Sequence, residues 1–211
     1  MAIIECKGLV KKYGARSVLN QLDFTVEPGE MVAVMGKSGC GKTTLLNILG
    51  LVDGYDAGNY QIMGHQNVKV RSKEAMALSK NRINCIFQKN HLMDKETVFN
   101  NLKTVLHSSD MPKDKQDEAI AKMLKDLNLE GLEDVKVECL SSQERQRVAI
   151  ARALLKPGDL IIADEPTVML DEQDESIVMN LLKKLNQMGK TIVIGTHKKE
   201  LASNATRIVY L

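Results

Sequence analysis

The stretch Met31-Val32-Ala33-Val34-Met35-Gly36-Lys37-Ser38-Gly39-Cys40-Gly41-Lys42-Thr43-Thr44-Leu45-Leu46-Asn47-Ile48-Leu49-Gly50 decides how this chain folds. Its five apolar residues, bounded by Pro28-Gly29 and Gly36, predict a short buried strand. Thr43 to Leu49 is helical in character, and Gly50 stands where a helix C-terminus favours glycine. Between strand and helix, Gly36 to Thr43 carries the spacing Gly-x-x-x-x-Gly-Lys-Thr of a phosphate-binding loop. Glycines let such a loop turn tightly and aim several backbone N–H groups at phosphate oxygens, while the following helix adds the positive end of its dipole. An ordinary glycine-rich turn is the plain alternative, and the strand-loop-helix context argues against it. The expected nucleotide contacts are Gly36, Lys37, Ser38, Gly39, Cys40, Gly41, Lys42, Thr43 and Thr44. Lys42 would bring charge to the β- and γ-phosphates, and Thr43 a hydroxyl to Mg2+, a hard ion that prefers oxygen ligands.

A second run, Leu160-Ile161-Ile162-Ala163-Asp164-Glu165, predicts a buried strand that delivers two carboxylates to its C-terminal end, where open α/β sheets bind ligands. Alternation along the strand separates their roles. Asp164 is expected in the Mg2+ shell, and Glu165 as the general base that orients and polarises an attacking water. Acidic pairs are frequent at strand ends, so this one gains its meaning from the phosphate loop.

Working outward, Ile3-Ile4, Ser17 to Val26, Tyr60 to Met63 and Ile83 to Phe87 read as strands punctuated by Gly54, Gly58 and Gly64. From about Lys89 to Cys139 the pattern turns helical, over Thr97 to Leu106 and Lys115 to Leu129. Strands and helices then alternate again: a helix at Gln143 to Leu155, a helix at Glu175 to Met188, a strand at Thr191 to Gly195, and Ile208 to Leu211. One domain over 1–211 is expected, with an α/β core and β subdomain at about 1–88 and 156–211 and a helical subdomain inserted at about 89–155.

Composition narrows the function classes. A chain of 211 residues with 44% hydrophobic content can bury a full core unaided. Cys6, Cys40, Cys85 and Cys139 contain no Cys-x-x-Cys pair, which argues against a zinc site or disulfide framework and for a reducing cytosol. No apolar run approaches the roughly 18 residues a spanning helix needs, so neither membrane insertion nor secretion is expected. With 29 basic against 27 acidic residues and 3% aromatics, the chain makes no case for nucleic acid. Lys113 to Lys115 and Lys198-Lys199 read as solvated faces.

Taken in order, these motifs resemble the ABC ATPase family over nearly the whole chain. The resemblance implies a P-loop NTPase fold with a RecA-like core, an antiparallel β subdomain and a helical subdomain. It also implies binding and hydrolysis of ATP with Mg2+. Tyr13 is similar to the family's aromatic residue that stacks on adenine, and Gln88 to the glutamine that senses Mg2+ and the permease. Asp171 is similar to the acidic residue of the D-loop, and His197 to the switch histidine that contacts the γ-phosphate. Singly, each has a bland alternative as a surface aromatic, a strand-end polar residue or a helix-terminal residue.

The signature segment Leu140-Ser141-Ser142-Gln143-Glu144-Arg145-Gln146-Arg147-Val148-Ala149-Ile150-Ala151-Arg152-Ala153 departs from the family at its centre, where two glycines are replaced by Ser142 and Gln143. In the family this helix start faces a γ-phosphate on a partner cassette across a two-fold dimer. Added side chains there crowd the nucleotide and disfavour any left-handed backbone. Ser141 reads equally as a phosphate contact or, with Glu144, as a capping box. Val168-Met169-Leu170 also departs from the usual D-loop. These changes suggest a dimer, homomeric or heteromeric, in which this chain uses its own loop well and completes its partner's site poorly.

Gly50-Leu51-Val52-Asp53 and Ala163-Asp164-Glu165-Pro166-Thr167 are most similar to the lipoprotein-release, macrolide-export and bacteriocin-export branch. The resemblance implies a transporter ATPase, peripheral on the cytoplasmic face of the cell membrane, whose multi-span permease is a separate polypeptide docking on the helical subdomain. Two alternatives remain: the ATPase of a mechanotransmission complex resembling the cell-division system, and a regulatory nucleotide-binding subunit of low turnover.

Overall fold

The strand expected at Met31–Met35 forms as β3 and is buried at every position. A parallel strand covered on both faces needs this kind of unbroken apolar run. Its parallel neighbour β8 (Thr191–Thr196) and the next strand β7 (Leu160–Asp164) are buried throughout for the same reason. With β6 (Ile83–Ile86) and β9 (Arg207–Tyr210) they make a five-stranded sheet in the order β6-β7-β8-β3-β9. Met35 lies opposite Thr196, and Asp164 opposite Gly195, so the parallel register gathers the C-terminal ends of β3, β7 and β8 on one edge. The computed structural model describes residues 1–87, 92–107, 109 and 111–211.

Helix α1 (Lys42–Leu49) lies against β7 and β8 and buries Leu45, Leu46, Ile48 and Leu49 almost completely. A second sheet, antiparallel, runs β2-β1-β4-β5 from β1 (Ile4–Tyr13), β2 (Arg16–Val26), β4 (Ala57–Ile62) and β5 (His65–Gln66). Sequence periodicity marks only Ile3-Ile4 of the first strand, whereas β1 continues to Tyr13. The reason is visible in its pairing with β2, which shifts register three times between Cys6 and Lys12 and so scrambles the two-residue alternation. Helix α2 (Lys73–Asn81), capped by Ser72, was not expected; it buries only Ala75 and Leu78, too few for a helical stripe to show. These elements, with the four-residue helix α7 (Lys199–Ala202), belong to a unit comprising Met1–Cys85, Gly158–Glu165 and Leu185–Leu211.

The other unit, Ile86–Pro157 with Pro166–Lys184, is helical. Here α3 (Val98–Leu106), α4 (Lys113–Asp126) and α5 (Ser142–Leu155) pack on one another, with a 3₁₀ turn at Val137–Cys139. The fully buried Asn101 ties α3 to the preceding loop, accepting from Met93 N–H at 2.8 Å and donating to Met93 O at 3.1 Å. One boundary differs from the sequence reading, which kept 156–211 together in the core. Pro166–Lys184, including most of α6 (Glu172–Gln187), groups with the helical unit. Two links in this unit account for the difference. Arg147 on α5 pairs with Asp174 on α6 at 2.8 Å, with both side chains buried, and Gln146 Nε2 donates to Pro166 O at 2.9 Å.

Candidate nucleotide-binding site

The loop leaving β3 reaches α1 through Gly41, whose φ of 111° is a left-handed conformation that glycine adopts readily. Among the described residues no side chain caps α1, and no acidic residue lies in its first turn. The first N–H groups of a helix have no partner within it, so an uncapped start presents them to an anion. Gly36 is required for a different reason: a Cβ there would come within 2.5 Å of Cys40 Sγ and 2.9 Å of Leu211 O. The buried Lys42 folds its ammonium over the loop, donating to Gly36 O at 2.8 Å and Lys37 O at 3.2 Å. Arg16, which sequence reasoning passed over, donates from Nη2 to Gly39 O at 3.2 Å. Nothing in a sequence window marks that contact, because it joins the start of β2 to the loop after β3.

Thr43 and Asp164 meet at the shared sheet edge, Thr43 Oγ1 donating to Asp164 Oδ2 at 2.6 Å. The other carboxylate oxygen, Asp164 Oδ1, is buried without a hydrogen-bond partner among the described residues. Burial pushes the Asp164 carboxyl above the usual carboxylate range, and the neighbouring Glu165 adds to this, against the opposing pull of Thr43 and Lys42. An orphaned carboxylate oxygen beside a threonine hydroxyl is an oxygen donor set that suits a hard divalent cation such as Mg2+. Among the described residues no cluster of three or more His, Cys, Asp or Glu side chains forms a cage for a metal.

Glu165 stands at φ 46°, unusual for a residue with a side chain, and its N–H donates to Gly195 O at 2.9 Å. Its carboxylate is held between two residues at the end of β8. Thr196 Oγ1 donates to Oε2 at 3.3 Å, and His197 Nδ1 lies 2.8 Å from Oε1. A carboxylate only accepts, so in this pairing the hydrogen sits on Nδ1. The sequence reading named Glu165 and His197 but not their contact, nor the part of Thr196; the parallel register brings all three together.

Tyr13, at the end of β1, is 50% exposed. Its hydroxyl donates to Asp53 Oδ2 at 2.6 Å, which raises the phenol's pKa above the ordinary value. Gln88 lies outside the described residues.

In the helical unit, Ser141 is the N-cap of α5 and forms the full capping box. Its Oγ accepts from Glu144 N–H at 3.3 Å, and Glu144 Oε2 accepts from Ser141 N–H at 2.8 Å. Ser141 Oγ also donates to Glu144 Oε2 at 2.8 Å, and this bond first, with the Ser141 N–H second, holds the Glu144 carboxyl below its usual range. Ser142 and Gln143 are the first two residues of the helix, and neither has positive φ. The backbone strain anticipated from losing glycine is therefore absent; what remains is the added side-chain bulk. Asp171 also serves as a cap, its Oδ1 accepting from Asp174 N–H at 2.9 Å, while Val168 and Met169 beside it are exposed.

Strand, glycine loop, uncapped helix and an acidic strand tip on one sheet edge define a P-loop nucleotide-binding protein. Comparison with known proteins narrows the class. The family model described as ABC transporter matches residues 19–168, and the chain belongs to that family, as an ATP-binding cassette. It is 40% identical over 211 residues to the macrolide export ATP-binding/permease protein MacB of Pasteurella multocida, covering 98% of this chain and 32% of that protein. The MacB of Rhodopseudomonas palustris is 38% identical over 212 residues, with 99% and 32% covered. The chain thus spans about a third of the length of these curated relatives. Among solved structures, the dimeric ATP-binding cassette MJ0796 in a post-hydrolysis state bound to ADP and Pi superposes with a TM-score of 0.91. It shares 33% identity, over 99% of this chain and 94% of that one. Among the described residues no helix is long and apolar enough to cross a membrane.

Proposed function

We propose that this chain binds MgATP on residues 36–44 and hydrolyses it to drive a membrane transporter of the export type, with Glu165 as the general base. The observation that carries the proposal is the meeting of Thr43, Asp164, Glu165 and His197 at the sheet edge beside the uncapped start of α1. In this reading the loop N–H groups and Lys42 hold the β- and γ-phosphates, and Tyr13 stacks on the adenine. Thr43 and Asp164 would hold Mg2+, which when bound offsets phosphate charge. Glu165 takes the proton of the attacking water, steadied by Thr196 and His197.

A dimer of cassettes is supported by the dimeric MJ0796 structures. The partner is a membrane-spanning permease; the names of the MacB relatives join the ATP-binding and permease functions in one protein. That likeness favours export of a drug, peptide or lipoprotein from a cassette on the cytoplasmic face of the membrane. Calorimetry with MgATP and with ATP in EDTA tests the core of the proposal. Tight, magnesium-dependent binding is expected, and a folded sample with no affinity for ATP would overturn it.

The capping box and the side chains of Ser142 and Gln143 favour one second reading, a subunit that binds nucleotide but turns it over slowly. Turnover by the dimer reconstituted with its permease separates the two.

A further inference from the structure

We propose that Lys11 and Asp53 are positioning residues that hold Tyr13 as a base platform, so that they set the share of binding energy drawn from the nucleobase. The inference deepens the nucleotide reading above and rests on it. Lys11 and Tyr13 stand two apart at the end of β1, on either side of its last register shift with β2, and their side chains meet there. The Lys11 ammonium stands 4.9 Å from the centroid of the Tyr13 ring, within cation–π range. The same ammonium donates to Asp53 Oδ1 at 3.0 Å and to Gly54 O at 2.7 Å. Asp53 uses its second oxygen, Oδ2, to accept from the Tyr13 hydroxyl at 2.6 Å. One carboxylate therefore anchors both the ring's edge and the cation that attends the ring.

Lys11 is buried, and a buried ammonium requires partners of this kind. Tyr13 is half exposed, which is the arrangement a stacking surface needs. Asp53 is itself fixed to the phosphate-loop helix, because its N–H donates to Asn47 O on α1 at 3.1 Å. Base platform and phosphate loop are thus referred to the same helix, and the spacing between them is set by the protein before nucleotide arrives. Pre-set geometry lowers the entropy cost of binding, and a cation near the ring biases it toward an electron-rich purine.

The experiment compares affinity for ATP with affinity for inorganic tripolyphosphate, both with magnesium, in the intact chain. Their ratio isolates the base and ribose from the phosphates. Wild type should prefer ATP, and Tyr13→Ala should lose most of that preference. Lys11→Met and Asp53→Asn should each cut the ratio by about 3- to 10-fold, the size of a moderate cation–π or hydrogen-bond contribution. Tripolyphosphate binding that stays measurable shows each variant is folded. Tyr13→Phe removes only the hydroxyl from a half-exposed ring and should cut the ratio by about 3-fold. An unchanged ratio in Lys11→Met, Asp53→Asn and Tyr13→Phe, with Tyr13→Ala still impaired, overturns the positioning role and leaves the Tyr13 platform intact. Equal binding of ATP and tripolyphosphate by wild type instead overturns the platform itself and with it this inference, while the phosphate site stands.

Discussion

Two helix starts in this molecule, those of α1 and α5, differ in what they leave open to a ligand. The start of α1 has no side-chain cap, no acid in its first turn and a left-handed glycine before it. That of α5 closes on itself, with Ser141 and Glu144 satisfying each other's backbone N–H groups and an acid already seated at the positive end of the dipole. The first therefore keeps its N–H groups and field for a ligand, whereas the second has committed part of both to its own stability. On the proposed reading, the difference would leave the chain's own phosphate loop better formed than the signature it offers a partner.

The largest expected effect lies at the α1 side. Glu165→Gln keeps the shape and the uncapped helix but removes the proposed base, so steady-state hydrolysis should fall by about 10²- to 10⁴-fold while calorimetric ATP binding persists. Retained turnover would move the base elsewhere. Restoring glycine at the other start, with Ser142→Gly and Gln143→Gly together, should raise ATPase activity of the dimer several-fold. It should also destabilise α5 by up to about 2 kcal/mol, the usual penalty for two glycines in a helix. Activity that does not rise would mean that side-chain bulk at α5 is not what limits the site.

Smaller effects sharpen the contrast in stability. Ser141→Ala should cost about 1 kcal/mol, or about 2–4 °C in melting temperature. Because Glu144 titrates below its ordinary value in the fold, the capping contribution is complete above the ordinary carboxylate range. It is lost as pH falls through the lowered native pKa, so the gap between wild type and variant should narrow in acid. Asp164 has the opposite sign. Its raised native pKa means the fold holds that proton longer than the unfolded chain does. Stability of the magnesium-free protein therefore falls as pH climbs from the unfolded value through the raised native one. Asp164→Asn should raise the melting temperature of the magnesium-free protein at neutral pH and forfeit stabilisation by MgATP. A melting temperature unchanged or lowered at neutral pH would mean that the buried Asp164 charge is not a strain on the fold.

Much of the fold was legible because its signals are local. A continuous apolar run is enough to declare β3 or β7, and the helical spacing of α3 and α5 survives in any window of the sequence. The failures have equally specific causes. Alternation marks only the start of β1 because register shifts break it further on, and α2 leaves no helical stripe because only two of its residues are buried. Pro166–Lys184 reads as part of the core from sequence because proximity along the chain gives no hint of the Arg147–Asp174 pair. At the site, residue types suggest roles for Lys42, Thr43, Asp164 and Glu165, whereas no local signal marks Arg16, Lys11, Asp53 or Thr196, whose contacts come from distant parts of the chain.

By itself the sequence determined that a glycine loop joins a buried strand to a helix and that two carboxylates end another buried strand. Those features follow from backbone freedom and side-chain character within a few residues. Only the tertiary structure decided that Asp164 reaches Thr43, that His197 reaches Glu165, and that Asp53 grips both Tyr13 and Lys11. Each of those contacts is a short-range hydrogen bond between residues at least 32 positions apart, and strand register and chain crossings, not local preference, set which distant atoms come within 3 Å.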